Sequence, residues 1–219
     1  MKNRIFSFIF ARGGSKGIPK KNLLPLGGIS LIGHSIQISK SIKNIEKTFV
    51  STDCDEIAKE AYKYGAEIIK RPIELALDNS PEWEAWDHAV NYAFTKYGKF
   101  QIFLSLPTTS PLRNAEDIEN CINAIETSNA QSVITICKSQ RSPWFNMVSL
   151  KENKAKLLIE GGNIFRRQDA PVCFDITTVA YLVKTDFLIR SKSIWDGEVY
   201  GVEIPLERSI DIDNYLDYK

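Results

Sequence analysis

The sequence predicts an α/β fold, three layers deep, with helices on both faces of a mostly parallel sheet. Three observations carry this. Short apolar runs rich in β-favouring residues recur along the chain, at Ile5–Phe10, Lys47–Thr52, Gln101–Leu106 and Ser132–Cys137. Between them lie stretches with apolar residues at helical spacing, and this alternation of strand and helix implies parallel strands joined by crossovers. At 219 residues, 43% hydrophobic and 25% charged, the chain is long enough for one domain with a full core. A single domain over 1–219 is therefore expected, with 138–175 as an insertion.

The elements follow in order. Ile5-Phe6-Ser7-Phe8-Ile9-Phe10 is nearly continuous in apolar character and fits a buried strand. Leu23–Gly28 turns the chain, and Ser30 to about Asn44 offers Leu31, Ser35, Ile38 and Ile42 at helical spacing. After the strand 47–52, Asp53 and Glu56 have the spacing of a capping box, for a helix carrying Ile57, Ala61 and Tyr62 that stops at Gly65. Ala66–Lys70 reads as a short strand. Ser80-Pro81 starts a helix with Trp86, Ala89, Val90, Ala93, Phe94 and Tyr97 on one side. The strand 101–106 runs into Pro107–Arg113, and the helix after Asn114 carries Ile118, Cys121, Ile122 and Ile125. From Lys138 to Asp175 the pattern weakens, with a hairpin expected around 148–160 and a break at Gly161-Gly162. Thr178–Val183 and Tyr200–Ile204 read as strands again.

Composition excludes several function classes. Lys and Arg number 28 against 27 Asp and Glu, a net charge of +1, which argues against a nucleic-acid partner bound by broad attraction. No stretch approaches the roughly 20 apolar residues of a membrane span. Lys2 and Arg4 precede an apolar run as in a secretion signal, but Arg12 interrupts it and no small-x-small cleavage site follows, so it reads as strand. Cys54, Cys121, Cys137 and Cys173 form no Cys-x-x-Cys pair, which fits a reducing, cytoplasmic location.

The chemistry concentrates behind the first strand, in Ala11-Arg12-Gly13-Gly14-Ser15-Lys16-Gly17-Ile18-Pro19-Lys20-Lys21-Asn22. Glycines let main-chain N–H groups approach an anion closely, and Arg12, Lys16, Lys20 and Lys21 add four positive charges. The loop reads as a phosphate cradle at the carboxyl end of a strand, where open α/β sheets bind ligands. It has neither the Walker spacing nor the Gly-x-Gly-x-x-Gly of dinucleotide folds. Near the other end, Asp211 and Asp213 stand two residues apart. In extended backbone they share a face, with Ile210 and Ile212 toward the core. Such a pair suits Mg²⁺, which takes one or two carboxylates plus substrate phosphates. Asp213 as the N-cap of a terminal helix fits the residues equally well.

These motifs together resemble the acylneuraminate cytidylyltransferases (CMP-sialic acid synthetases) and the related synthetases for 3-deoxy-octulosonate and other nonulosonic acids. The resemblance covers essentially the whole chain. It implies a Rossmann-like three-layer α/β/α fold of the nucleotide-diphospho-sugar transferase type, with 138–175 as a small arm that reaches a partner subunit of a homodimer. It implies that Ala11, Arg12, Gly13, Gly14, Ser15, Lys21 and Asn22 hold CTP, that Arg71 of Arg71-Pro72-x-x-Leu75-x-x-Asp78 contacts the nucleotide, and that Asp211 and Asp213 hold the metal. Arg12, Lys21 and Asp211 would then be catalytic. The sugar side would comprise Thr109, Ser110 and Arg113, with Arg167 and Gln168 from the arm, and Thr177. Two departures fall there: Pro107 replaces the family's glutamine, and Thr177-Thr178-Val179-Ala180-Tyr181 replaces Asn-Gly-Ala-Ile-Tyr. The expected reaction is transfer of CMP from CTP to the anomeric hydroxyl of an α-keto sugar acid. The alternatives are a sugar 1-phosphate nucleotidyltransferase and a silent nucleotide-binding relative. His34 and His88, the two histidines, read as packed helix residues.

Overall fold

The computed structural model describes residues 3–161, 164 and 166–219; Lys2 and Gly162, singled out above, lie outside the described residues. In chain order the first elements are β1 (Ile5–Phe10), β2 (Pro25–Leu26), β3 (Ile29–Ser30), α1 (Leu31–Ser41), β4 (Ile45–Thr52), α2 (Asp55–Lys63), β5 (Glu67–Lys70) and α3 (Glu82–Tyr97). Then come β6 (Ile102–Ser105), α4 (Ala115–Thr127), β7 (Ser132–Lys138), β8 (Val148–Lys151), β9 (Lys154–Leu157), β10 (Phe174–Lys184), α5 (Thr185–Leu188), β11 (Val199–Glu203) and α6 (Tyr215–Tyr218).

Seven strands form one sheet in the order β11-β7-β10-β6-β1-β4-β5. β1 lies between β4 and β6, parallel to both, so the glycine-rich loop leaves the middle of the sheet. β10 is the exception in direction, antiparallel to both β6 and β7. It also starts earlier than the sequence suggests. Phe174–Thr177 pair with β7 alone, the register breaks between Thr177 and Tyr181, and Tyr181–Lys184 then bridge β6 and β7.

The period-two alternation of β1 builds a core on each face. Ile5 and Ile9 pack with Ile32 and Ile36 of α1, Ile57 and Ala61 of α2, and Ile118, Cys121 and Ile122 of α4. Phe6 and Phe8 point the other way, into an aromatic layer with Phe49, Phe100 and Phe103 beneath Trp86, Ala89, Val90 and Ala93 of α3. Phe6 stacks on Phe100 at 4.3 Å, and Phe8 on Phe103 at 4.9 Å, contacts worth about 1 kcal/mol each beyond the area they bury. Ser7, on the Ile5 face and fully buried, accepts a hydrogen bond from Ser39 at 2.7 Å.

The irregular segment contains the expected hairpin, β8 and β9, turned by Glu152 and Asn153 with φ of 49° and 62°. Consecutive left-handed residues match the twist of a two-residue hairpin turn. All eight of its strand residues are exposed, so the arm stands off the body. Two local expectations are corrected. Asp53 does not cap α2: Cys54 occupies that position, because the Asp53 carboxylate accepts from the Gly13 N–H at 2.9 Å. Only Ile212 of the 210/212 pair faces the core, since Ile210 is 42% exposed.

Candidate active site

The first loop is held rigid from several sides. The Ala11 N–H donates to the Ser51 carbonyl at 3.1 Å, extending the β1–β4 pairing by one residue. Asn22 is buried; its amide donates to the Arg12 carbonyl at 3.0 Å and accepts from the Thr108 hydroxyl at 2.6 Å. One side chain therefore ties the glycine loop to the Pro107–Arg113 loop behind β6. Ile18 is fully buried against Leu31 and Ile212, and Lys20 takes a left-handed conformation, φ 54°, as the chain turns into Lys21. A Cβ on Gly17 would meet the Asp213 carbonyl oxygen at 2.1 Å, so glycine is required where the loop passes the carboxyl-terminal segment.

That segment supplies the acids. The Ile212 N–H donates to the Thr109 carbonyl at 2.8 Å, and the Lys21 ammonium donates to the Ile212 carbonyl at 2.8 Å and to the Asp213 carboxylate at 3.0 Å. Asn214, not Asp213, caps α6, which leaves the Asp213 carboxylate 71% exposed with Lys21 as its ion-pair partner. Asp211 is different. Its Oδ1 is buried with no hydrogen-bond partner among the described residues. An orphaned, buried carboxylate oxygen costs free energy and suits a site that takes a cation. Among the described residues no three His, Cys, Asp or Glu side chains converge as a ready-made cage, so two carboxylates and ligand phosphates are the donors on offer.

Arg12, Ser15, Lys16 and Lys21 face Thr109 and Asp213 around a cleft of about 420 Å³. Gly13 lies against Cys54, and Gly14 has open space around it. A second recess of about 290 Å³ shares Phe10 and Arg12 and adds Arg71 and Glu82. Arg71 is buried; it donates to the Ser51 carbonyl at 2.6 Å and sits 5.4 Å over the Phe10 ring. Burial pushes its pKa down to about 10, against the opposing pull of Asp53 and Glu82.

The expected sugar side divides into three. Thr109 and Ser110 both meet the Thr178 hydroxyl, at 3.3 and 2.6 Å, where β10 breaks register. Arg113 and Thr177 lie inside the wall. Arg113 donates to Ser35, to the Pro107 carbonyl and to the Thr178 carbonyl, and burial pushes its pKa down to about 9. Thr177 is buried and donates to the Thr135 hydroxyl at 2.7 Å. Arg167 and Gln168 sit on an exposed 3₁₀ turn of the arm and line a separate recess of about 370 Å³ with Lys138 and Arg141.

Sequence reading missed the partners of the loop cations. Asp78 pairs with Arg12 at 2.7 Å and with Lys16 at 2.8 Å, and Glu56 pairs with Lys20 at 2.7 Å. The Arg71-Pro72-x-x-Leu75-x-x-Asp78 spacing flagged Asp78 itself, but ion pairing across more than sixty residues leaves no trace in periodicity.

The family model described as cytidylyltransferase matches residues 7–207. The chain belongs to the cytidylyltransferase family. It is thus a nucleotidyltransferase, and the matched range includes the glycine loop. It is 34% identical to the CMP-N,N'-diacetyllegionaminic acid synthase of Campylobacter jejuni, over 98% of this chain and 92% of that protein. It is 33% identical to the post-translational flagellin modification protein B of Campylobacter coli, over 99% and 93%. Among solved structures, the fold is shared with a CMP:2-keto-3-deoxy-manno-octonic acid synthetase complexed with CTP, TM-score 0.71 at 15% identity, covering 97% of this chain and 94% of that one. It is also shared with a 4-diphosphocytidyl-2C-methyl-D-erythritol synthase, TM-score 0.75 at 10% identity, covering 99% and 96%. Among the described residues of this cytidylyltransferase, no helix is long and apolar enough to cross a membrane.

Proposed function

We propose that this cytidylyltransferase transfers CMP from CTP to the anomeric hydroxyl of a nonulosonic acid and releases pyrophosphate. The observation that carries the reading is the meeting of Arg12, Lys16 and Lys21 with Asp213 around one cleft; Asp211, two residues back in the chain, has a buried oxygen without a hydrogen-bond partner among the described residues. In the reaction the hydroxyl oxygen of the sugar acid attacks the α-phosphorus, the bond from that phosphorus to the β-bridging oxygen breaks to release pyrophosphate, and the hydroxyl proton passes to water. Transfers of this kind rest on positioning and on neutralising developing charge.

Arg12, Lys21 and the main-chain N–H groups of Gly14 and Ser15 bind and orient the triphosphate, while the Gly13 N–H is held by Asp53. Asn22 acts at one remove, by holding the loop to Thr108. The recess lined by Phe10, Arg71, Leu75 and Glu82 has the apolar wall and polar rim that suit the base. Asp211 and Asp213 would hold Mg²⁺ with phosphate oxygens, and that ion would supply charge neutralisation and polarise bound oxygens. Thr109, Ser110 and Thr178 border the sugar side, and Arg113 and Thr177 set the position of that wall. The exposed arm, with Val148 and Leu150 apolar at its surface, supports a homodimer in which Arg167 and Gln168 reach a neighbouring site. A cytoplasmic location fits the supply of CTP.

The relatives' names select the first substrate to test, N,N'-diacetyllegionaminic acid. The decisive assay is pyrophosphate release from CTP and Mg²⁺ across a panel of sugar acids: that acid, N-acetylneuraminate, pseudaminate, 3-deoxy-octulosonate and the deaminated nonulosonate. Turnover with one member establishes the reaction and its acceptor. Silence across the panel, with CTP binding retained, removes the substrate class and moves the search to sugar 1-phosphates.

A further inference from the structure

Each cation of the glycine loop already has an acidic partner. Lys20 has Glu56, Lys21 has Asp213, and Arg12 and Lys16 share Asp78. Glu56 sits on α2 and Asp213 belongs to the proposed metal pair, so both have evident places. Asp78 has no comparable role. Among the described residues its ion pairs are those to Arg12 Nη2 at 2.7 Å and Lys16 Nζ at 2.8 Å, and its side chain is half-exposed. It sits on the segment 73–80, which touches Arg12 a second time through the Ala76 carbonyl at 3.4 Å from Nη1. Arg12 thus looks toward two recesses and is clasped by the segment that borders one of them.

A carboxylate on these two cations occupies the place that phosphate oxygens want. Phosphates bring more charge and can engage a guanidinium through two parallel hydrogen bonds, whereas half-exposed ion pairs are worth little and exchange readily. Once phosphates arrive, Asp78 faces like charge and loses its partners. We propose that Asp78 is a displaceable counter-anion: it holds Arg12 and Lys16 between turnovers, phosphates take them over when CTP binds, and it reclaims them as pyrophosphate leaves. The inference rests on the nucleotide reading above and adds a competitor built into the same loop. Its consequence is a weaker grip on substrate in return for faster release of the leaving group, a step that limits many enzymes.

The test compares the whole wild-type chain with Asp78→Asn and Asp78→Glu by calorimetric titration with CTP and Mg²⁺, with pyrophosphate and Mg²⁺, and with cytidine, in the absence of any sugar acid. Asp78→Asn should bind CTP and pyrophosphate about three- to tenfold more tightly, a gain larger than any change for cytidine, which has no phosphate but meets Asp78 in the wall of the base recess. Asp78→Glu keeps the charge and should follow the wild type. Unchanged or weaker CTP binding by a folded Asp78→Asn overturns the counter-anion and makes Asp78 idle or a brace for Arg12. A wild-type chain that binds neither CTP nor pyrophosphate overturns the nucleotide reading itself.

Discussion

Gly17 and the Asp213 main chain pass so close that a single methyl group does not fit between them: a Cβ on Gly17 would lie 2.1 Å from the Asp213 carbonyl oxygen. The phosphate loop and the acidic segment are therefore packed as one unit. Gly17→Ala should push them apart, lower thermal stability by the roughly 1–3 kcal/mol of an overpacked site, and weaken CTP binding. Gly14→Ala is the control for stability alone, because nothing lies within 4 Å of that position. A melting comparison of the two variants checks the contrast, and CTP titration of Gly17→Ala against wild type checks binding; equal melting temperatures would remove the steric argument.

Lys21 joins the same two pieces electrostatically, through the Ile212 carbonyl and the Asp213 carboxylate. Lys21→Met keeps the length of the side chain and deletes both bonds and a phosphate ligand. We expect kcat/KM to fall roughly 100-fold or more, with secondary structure by circular dichroism unchanged. A variant within threefold of wild type would take Lys21 out of the catalytic set.

Asp211→Asn separates function from stability. The carboxylate has a buried oxygen with no hydrogen-bond partner among the described residues, while its charge acts on the buried Arg113 guanidinium and favours its protonated form. The melting temperature should change far less than Mg²⁺-dependent turnover, which falls by roughly 100-fold. A drop in melting temperature with activity intact would make Asp211 a structural counter-charge for Arg113 alone.

The acid limb of stability should run through Glu67. Burial opposes its ionisation, but hydrogen bonds from Lys96, Tyr97 and Tyr92 outweigh that and hold its pKa below the ordinary 4.5. The folded state then releases this proton more readily than the unfolded one, so the contribution is complete above about pH 4.5 and disappears as pH falls through the folded value. Urea unfolding of wild type and Glu67→Gln between pH 3 and 6 should show a shallower acid slope in the variant; parallel slopes would assign the acid sensitivity to other carboxylates.

How far the sequence spoke depends on what kind of information each feature needs. The central strands β1, β6 and β7 were legible because burial on both faces writes a largely apolar run, whereas β4 showed only in its buried Phe49-Val50 half. The direction of β10 was not, since hydropathy carries no arrow. Its first half was missed too, because Phe174–Thr177 have one neighbour strand and Asp175 among them. The glycine loop and the aspartate pair announced themselves by composition and spacing. Their wiring did not: Asp53 looked like a helix cap and binds the Gly13 amide instead. Arg113 and Thr177 show the same limit on the sugar side. A polar residue in a site loop looks identical in sequence whether it faces the ligand or, as these two do, braces the wall from within.

The bond between Lys21 and Asp213 spans 192 positions of the chain. On a ribosome adding about 5–20 residues per second, the loop emerges roughly 10–40 s before the acids that complete it. During that interval Arg12, Lys16 and Lys20 can already meet Asp78 and Glu56, whereas Lys21 must wait. The acid side of the cleft therefore joins the phosphate loop only after the 192 positions between them have been made.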